Sequence, residues 1–117
     1  MRLNHIDLPV TDLESAADYF QRGFGFQRIG APAASMAILR GEDGFALILQ
    51  HVEKADYPPG FHIGFLQASD EAVHAAYQRL ADAGLPLPVP PAVNYGCLAF
   101  WCQAPGDIQI EVSHRPG

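Results

Sequence analysis

From residue 5 to residue 10 Ile6, Leu8 and Val10 fall on one parity and His5 and Asp7 on the other, the period of a strand with one buried face. Residues 61–67 repeat the pattern, with Phe61, Ile63 and Phe65 opposed to His62 and Gly64. After each run the period lengthens to that of a helix. Thr11 and Glu14 have the spacing of a capping box, and Leu13, Ala16, Ala17, Phe20 and Phe24 follow on one face until Gly23 and Gly25 stop the helix. In the second stretch Ser69 is the capping residue. Val73, Ala76, Tyr77 and Leu80 form the apolar face, and Gly84 stands in the position after the last turn.

Three further strands are predicted after each helix. In the first half they cover residues 26–29, 35–39 and 45–51, the last two joined by a turn at Gly41-Glu42-Asp43-Gly44. In the second half they cover residues 85–89, 97–103 and 108–113, with a turn at Ala104-Pro105-Gly106-Asp107. Pro86, Pro88, Pro90 and Pro91 rule out a central strand there, so the early part of that segment is expected as an edge strand and the later part as a loop. The landmarks repeat at a nearly constant offset: His5 to His62 is 57 positions, Thr11 to Ser69 is 58 and Gly25 to Gly84 is 59. The expected fold is α+β, two βαβββ modules forming a cupped mixed β-sheet with the helices on its convex side. Module one spans residues 1–52, a linker 53–60 and module two 61–117, within a single domain. A module of about 60 residues is marginal alone, so the two copies should combine edge to edge or exchange with a second chain.

Composition narrows the partners. Across 117 residues, 13 acidic side chains stand against 7 basic ones for a formal charge of −6, and the Lys and Arg residues form no stripe, which argues against nucleic acid and anionic membrane. The longest apolar runs, residues 45–49 and 97–101, are strand-sized, and no charged segment followed by an apolar stretch opens the chain. A soluble, unsecreted, cytoplasmic protein is expected, with Cys97 and Cys102 as reduced thiols, their spacing matching no zinc motif.

If the aliphatic faces pack on the helices, three polar residues share the opposite, concave side: His5, His62 and Glu111, the last from a strand in which Ile108, Ile110 and Val112 take the other parity. A lone histidine at the start of a strand is usually an ordinary half-exposed residue. Two histidines at equivalent places of a repeat, with a carboxylate that would need a partner if buried, form a donor set suited to a divalent Fe, Mn, Zn or Ni ion with positions left open. Asp7 lies on the same face and reads as a general base, as a group orienting a ligand, or as a solvated strand-end carboxylate. Pairing across the turn at 104–107 sets residue i opposite 211 − i, which places Phe100 beside Glu111 and Leu98 beside Ser113 as an apolar cup wall. It turns Trp101, beside Ile110, toward the helices.

Leu3-Asn4-His5-Ile6-Asp7-Leu8-Pro9-Val10-Thr11-Asp12-Leu13, with Tyr19-Phe20 and Gly23-Phe24-Gly25-Phe26, resembles the opening signature of the vicinal-oxygen-chelate superfamily. Phe61-His62-Ile63-Gly64-Phe65 resembles the opening of that family's second module. Pro105-Gly106-Asp107-Ile108-Gln109-Ile110-Glu111-Val112 resembles its final hairpin, although the usual acidic-Pro-acidic-Gly turn is here Ala104-Pro105-Gly106-Asp107. The resemblance covers nearly the whole chain. It implies a metal on His5, His62 and Glu111 that binds vicinal oxygens of a small substrate, and a homodimer in which the first module of one chain meets the second module of the other.

The branches of that family differ in their accessory residues. Glyoxalase I has a further glutamate in the last strand of module one, where superposing the two hairpins puts Ile48, with Gln50 next on that face; Gln50 either donates a carbonyl oxygen or lines the cup beside Ile48. Fosfomycin-type transferases bind a phosphonate, yet no Lys or Arg lies between Leu80 and His114. Extradiol dioxygenases add a His and a Tyr that handle protons. Tyr95 is available, as a catalytic group or as a loop aromatic over the cup, but no His lies between His74 and His114. Two functions follow: a metalloenzyme of the glyoxalase/dioxygenase type (a lyase, dioxygenase or transferase) acting on a small, mostly apolar molecule, or a metal-free dimer that sequesters an aromatic compound as bleomycin-resistance proteins do. A structural dimer without a small ligand is the third reading.

Overall fold

The computed structural model describes residues 1–87 and 89–116, and the chain divides into two compact units, one ending at Asp56 and the other starting at Tyr57. Each unit is βαβββ. In the first, β1 (His5–Val10) is followed by α1 (Leu13–Phe24), β2 (Gln27–Ile29), β3 (Met36–Arg40) and β4 (Ala46–His51), arranged β1-β4-β3-β2. In the second, β5 (His62–Leu66), α2 (Asp70–Asp82), β6 (Ala92–Asn94), β7 (Cys97–Ala104) and β8 (Ile108–His114) give the order β5-β8-β7-β6. Each first strand runs parallel to the last strand of its own unit and the other pairs are antiparallel, so both sheets are mixed, as expected of the α+β class.

Period-two alternation puts one parity of each sheet on its helix. In the first unit Leu8, Val10, Ala37, Leu39, Leu47 and Leu49 are buried on the helix side, as are Leu13, Ala16, Ala17 and Phe20 of α1. In the second, Ile108, Ile110 and Val112 are fully buried with Val73 and Leu80 of α2, and Tyr77 meets Phe100 edge to face at 5.4 Å. Full burial of an aliphatic or aromatic side chain contributes roughly 1.5–3 kcal/mol. Cores of this composition therefore hold the sheets' other faces, where the polar residues sit, in fixed positions.

The cap of α1 differs from expectation. The N-cap is Asp12, whose Oδ1 accepts from Ser15 N–H at 3.1 Å and whose Oδ2 accepts from the Ser15 hydroxyl at 2.8 Å. A carboxylate satisfies the free N–H groups as Thr11 could, and also complements the positive end of the helix. Glu14, cast as the reciprocal half of a box with Thr11, instead accepts from Arg28 of β2 at 2.9 Å. The Ser15 hydroxyl holds the Asp12 carboxyl below its ordinary value, and the hydrogen bond from Arg28 does the same for Glu14. Gly23 does not stop the helix. It is buried within α1, and Gly25 ends the helix at φ 74°. Ser69 caps α2 as expected, accepting from Ala72 N–H at 3.1 Å.

Two strand assignments are corrected. The edge strand of the second unit is β6, Ala92–Asn94, and not residues 85–89. Consecutive ladder donors become available only after Pro91, and proline cannot supply them; Pro88 lies outside the described residues. The last hairpin closes with Ala104 opposite Ile108, so its loop is the three residues 105–107 and residue i pairs with 212 − i. Gly106 at φ 92° and Asp107 at φ 64° supply the left-handed backbone of that loop, and the Asp107 carboxylate accepts from Gln103 at 2.8 Å. The shift of one residue exchanges the faces of β7. Phe100 and Leu98 are buried on the helix side, at 1% and 8% exposure, while Trp101 stands opposite Glu111 with 41% of its surface exposed.

Candidate functional site

In the first unit the face away from α1 carries His5 and Asp7 on β1 and Ala46, Ile48 and Gln50 on β4, with Met36, Ile38 and Arg40 on β3. The parallel register sets His5 opposite Ala46, Asp7 opposite Ile48 and Pro9 opposite Gln50. Gln50 reaches back along the sheet and its Nε2 donates to Asp7 Oδ2 at 3.1 Å. His5 Nδ1 lies 2.8 Å from the Asn4 side-chain oxygen, a bond in which the ring nitrogen donates. The other ring nitrogen, Nε2, is thereby left with its lone pair.

The second unit builds the same arrangement from different residues. His62 stands opposite Gln109 and Gly64 opposite Glu111. The Glu111 carboxylate leans toward β5, because a Cβ built on Gly64 would lie 4.0 Å from Glu111 Oε1. His62 Nδ1 is 2.9 Å from the Gly60 carbonyl oxygen, which can only accept, so Nδ1 donates and Nε2 is the nitrogen that carries the lone pair in the neutral ring. The same device is used by metal-binding histidines, whose second nitrogen is tied to a carbonyl or carboxylate. Trp101 was expected in the core and lies on this face, its indole edge-on to the His62 ring with centroids 4.9 Å apart. The odd loop of three residues, with an aspartate tolerant of left-handed backbone at its end, was the available signal for it.

The remaining candidates are placed as follows. Leu98 and Phe100 belong to the core side of β7, which removes them from the wall beside Glu111. Tyr95 and Gly96 form the two-residue turn between β6 and β7, both at positive φ, and Tyr95 is 97% exposed at its tip. Cys97 and Cys102 stand as thiols outside any disulfide, Cys97 half-buried and Cys102 buried. His114 Nδ1 bonds Asp70 Oδ1 at 2.8 Å, tying the end of β8 to the start of α2. Among the described residues no three or more His, Cys, Asp and Glu side chains are gathered into a metal-binding group, and no helix is long and apolar enough to cross a membrane.

The chain matches the Glyoxalase/Bleomycin resistance protein/Dioxygenase superfamily over residues 2–112. A solved structure of a possible glyoxalase from Bacillus cereus is 35% identical, with 96% of this chain and 97% of that one covered at a TM-score of 0.81. A lactoylglutathione lyase from Agrobacterium tumefaciens is similar in fold at 16% identity and a TM-score of 0.77, covering 97% and 92% of the two chains. A genomically encoded fosfomycin resistance protein from Listeria monocytogenes is similar in fold at 18% identity and a TM-score of 0.80, covering 99% and 94%. Among curated proteins none matches the chain.

Proposed function

The chain belongs to the Glyoxalase/Bleomycin resistance protein/Dioxygenase superfamily, and from that premise we propose that it is a divalent-metal-dependent enzyme acting on a small, mostly apolar substrate through two adjacent oxygens. His5, His62 and Glu111 are the residues that hold the ion. The observation that carries this reading is the matched arrangement of the two imidazoles: each Nδ1 is engaged by an oxygen acceptor, so that Nε2 is the nitrogen left to bind a ligand on the face from which each sheet presents polar groups. Neutral imidazole with carboxylate suits Fe, Mn, Zn or Ni, and three protein ligands leave room for substrate. When bound, the ion supplies Lewis-acid stabilisation of the negative charge that develops on the chelated oxygens.

The other roles belong to the chain's own side chains. Asn4 and the Gly60 carbonyl fix the imidazole orientations, Trp101 bounds His62 on one side, and Ile48 and Gln50 line the module-one face. None of the strands of the second unit contributes a Lys or Arg to this face, and Arg40 on the corresponding face of the first unit is turned to the Gly44 carbonyl of its own hairpin, which favours an uncharged substrate body over a phosphonate. Tyr95, at an exposed turn tip, is suited to meeting substrate or a second chain.

A homodimer completes the site in this reading, His5 coming from one subunit and His62 with Glu111 from its partner, since a four-stranded unit leaves sheet edges that a second copy can cover. The second functional reading, a metal-free binder of an aromatic compound, is favoured by the exposed indole of Trp101. Metal analysis of protein purified without chelator separates the two: about one ion per chain is expected of the enzyme, and none would leave the binder. Mixing His5→Ala with Glu111→Ala chains, then unfolding and refolding them together, tests the crossed site. Metal binding is expected to reappear in the heterodimer, and its absence once heterodimers have formed places the site within one chain.

A further inference from the structure

Each unit carries a carboxylate at the equivalent facing pair of its own parallel ladder, on opposite strands of that pair. Aligning His5 with His62 makes the facing pair Asp7/Ile48 of β1 and β4 equivalent to the facing pair Gly64/Glu111 of β5 and β8. In the second unit the last strand supplies a long glutamate and the first strand a glycine, over which the carboxylate leans to within 4.0 Å of where a Cβ would sit. In the first unit the last strand supplies Ile48, and the first strand supplies Asp7, a carboxylate on the shorter side chain. A carboxylate carried one bond beyond the Cβ at that place falls in the region that Glu111's occupies in the other unit. The carboxylate absent at Ile48 has a counterpart on the neighbouring strand, at Asp7.

Two further features suit Asp7 to coordination. It stands two residues after His5 on one strand face, about 7 Å along the backbone, a spacing at which an imidazole and a carboxylate reach one ion. Gln50 Nε2 donates to Oδ2 at 3.1 Å, orienting the carboxylate and leaving Oδ1 free, as partners behind metal ligands commonly do. We propose that Asp7 is the module-one counterpart of Glu111 and the fourth protein ligand of the ion, with Gln50 as its positioning residue. The donor set is then two neutral imidazoles and two carboxylates, whose charge balances a divalent cation. The inference rests on the metal site proposed above and adds a ligand to it.

Titration of the full chain with Co2+, followed by calorimetry and by visible absorption, tests both levels. The unsubstituted protein binds about one Co2+ per chain; if it binds none, the metal reading falls and takes this inference with it. Asp7→Asn keeps the shape and can still accept from Gln50, so the fold is retained and circular dichroism checks it. It is expected to weaken Co2+ at least about 100-fold and to alter the visible bands that report the ligand set. Gln50→Leu should weaken binding about tenfold with the bands unchanged, and Asp7→Glu should restore part of the affinity lost in Asp7→Asn. Wild-type affinity and bands in Asp7→Asn, alongside lost binding in His5→Ala, would remove Asp7 while leaving the three-residue site standing. Bands that change in Gln50→Leu and not in Asp7→Asn would make Gln50 the ligand and overturn the proposal.

Discussion

The two units share a plan and differ in how they execute it. The first caps its helix with the anionic Asp12, joins its last two strands through five residues, 41–45, and carries the carboxylate of its helix-distal face on the first strand. The second caps with the neutral Ser69, closes its last hairpin in three residues and carries its carboxylate on the last strand. The helix-facing parity is apolar in both, because both must bury a sheet face on a helix. The difference shows that the facing pair at equivalent places of the two parallel ladders, Asp7/Ile48 and Gly64/Glu111, carries its carboxylate on the first strand in one unit and on the last strand in the other.

The largest effects should come from the sheet faces turned away from the helices. His62→Ala and Glu111→Ala are expected to abolish stoichiometric metal binding while leaving the circular dichroism spectrum intact, since neither residue is part of the buried core. Retention of full metal content by Glu111→Ala would break the comparison at its root. The sharper version transplants one unit's pattern into the other: Asp7→Gly combined with Ile48→Glu should bind Co2+ within about tenfold of wild type, whereas Asp7→Gly alone should not. Trp101 is the only tryptophan and its ring centroid lies 4.9 Å from that of His62, so Co2+ or Ni2+ bound at His62 should quench the intrinsic fluorescence.

Next in size are the effects on the core. Phe100→Ala should destabilise by about 3–5 kcal/mol, measured by urea unfolding followed by circular dichroism, and Trp101→Ala by no more than about 1 kcal/mol. The reverse order would restore the other register.

The helix caps give a smaller contrast that depends on pH. Asp12 and Glu14 titrate below their ordinary values of 3.8 and 4.5, so their contribution to stability is present above those values and is lost as pH falls through the depressed ones. Asp12→Asn with Glu14→Gln should flatten the acid limb of the stability profile, whereas Ser69→Ala should lower stability by a similar amount at every pH. An acid limb unchanged by the double substitution would remove the distinction between the caps. Smallest is Tyr95→Asn, expected to add about 1 kcal/mol because asparagine tolerates the positive φ of 52° that tyrosine holds there.

Much of the candidate site was legible along the chain. The parity of His5 and Asp7 against Leu8 and Val10, and of Glu111 against Ile110 and Val112, was read from a period of two and agrees with their burial. The equivalence of Ile48 with Glu111 was read by superposing two turns and agrees with both parallel registers. The cap at Asp12, the edge strand after Pro91 and the exposure of Trp101 were not read. For the cap and for Trp101 two neighbouring residues were nearly equal candidates locally, and for the edge strand two segments on either side of Pro90 and Pro91 were.

By itself the sequence determined the repeat, the number and type of elements, and the parity within each strand, because each is set by side-chain spacing along a few consecutive residues. Only the tertiary structure decided which residues of different strands face one another. Trp101 stands beside Glu111 in place of Phe100 because the loop at 105–107 adopts left-handed backbone at its last residue, and one residue of register exchanges every side chain of β7 between the faces. Asp7 meets Gln50 because strands more than forty residues apart align in parallel. That alignment is a property of the packed sheet and of the helix behind it, and no local spacing encodes it.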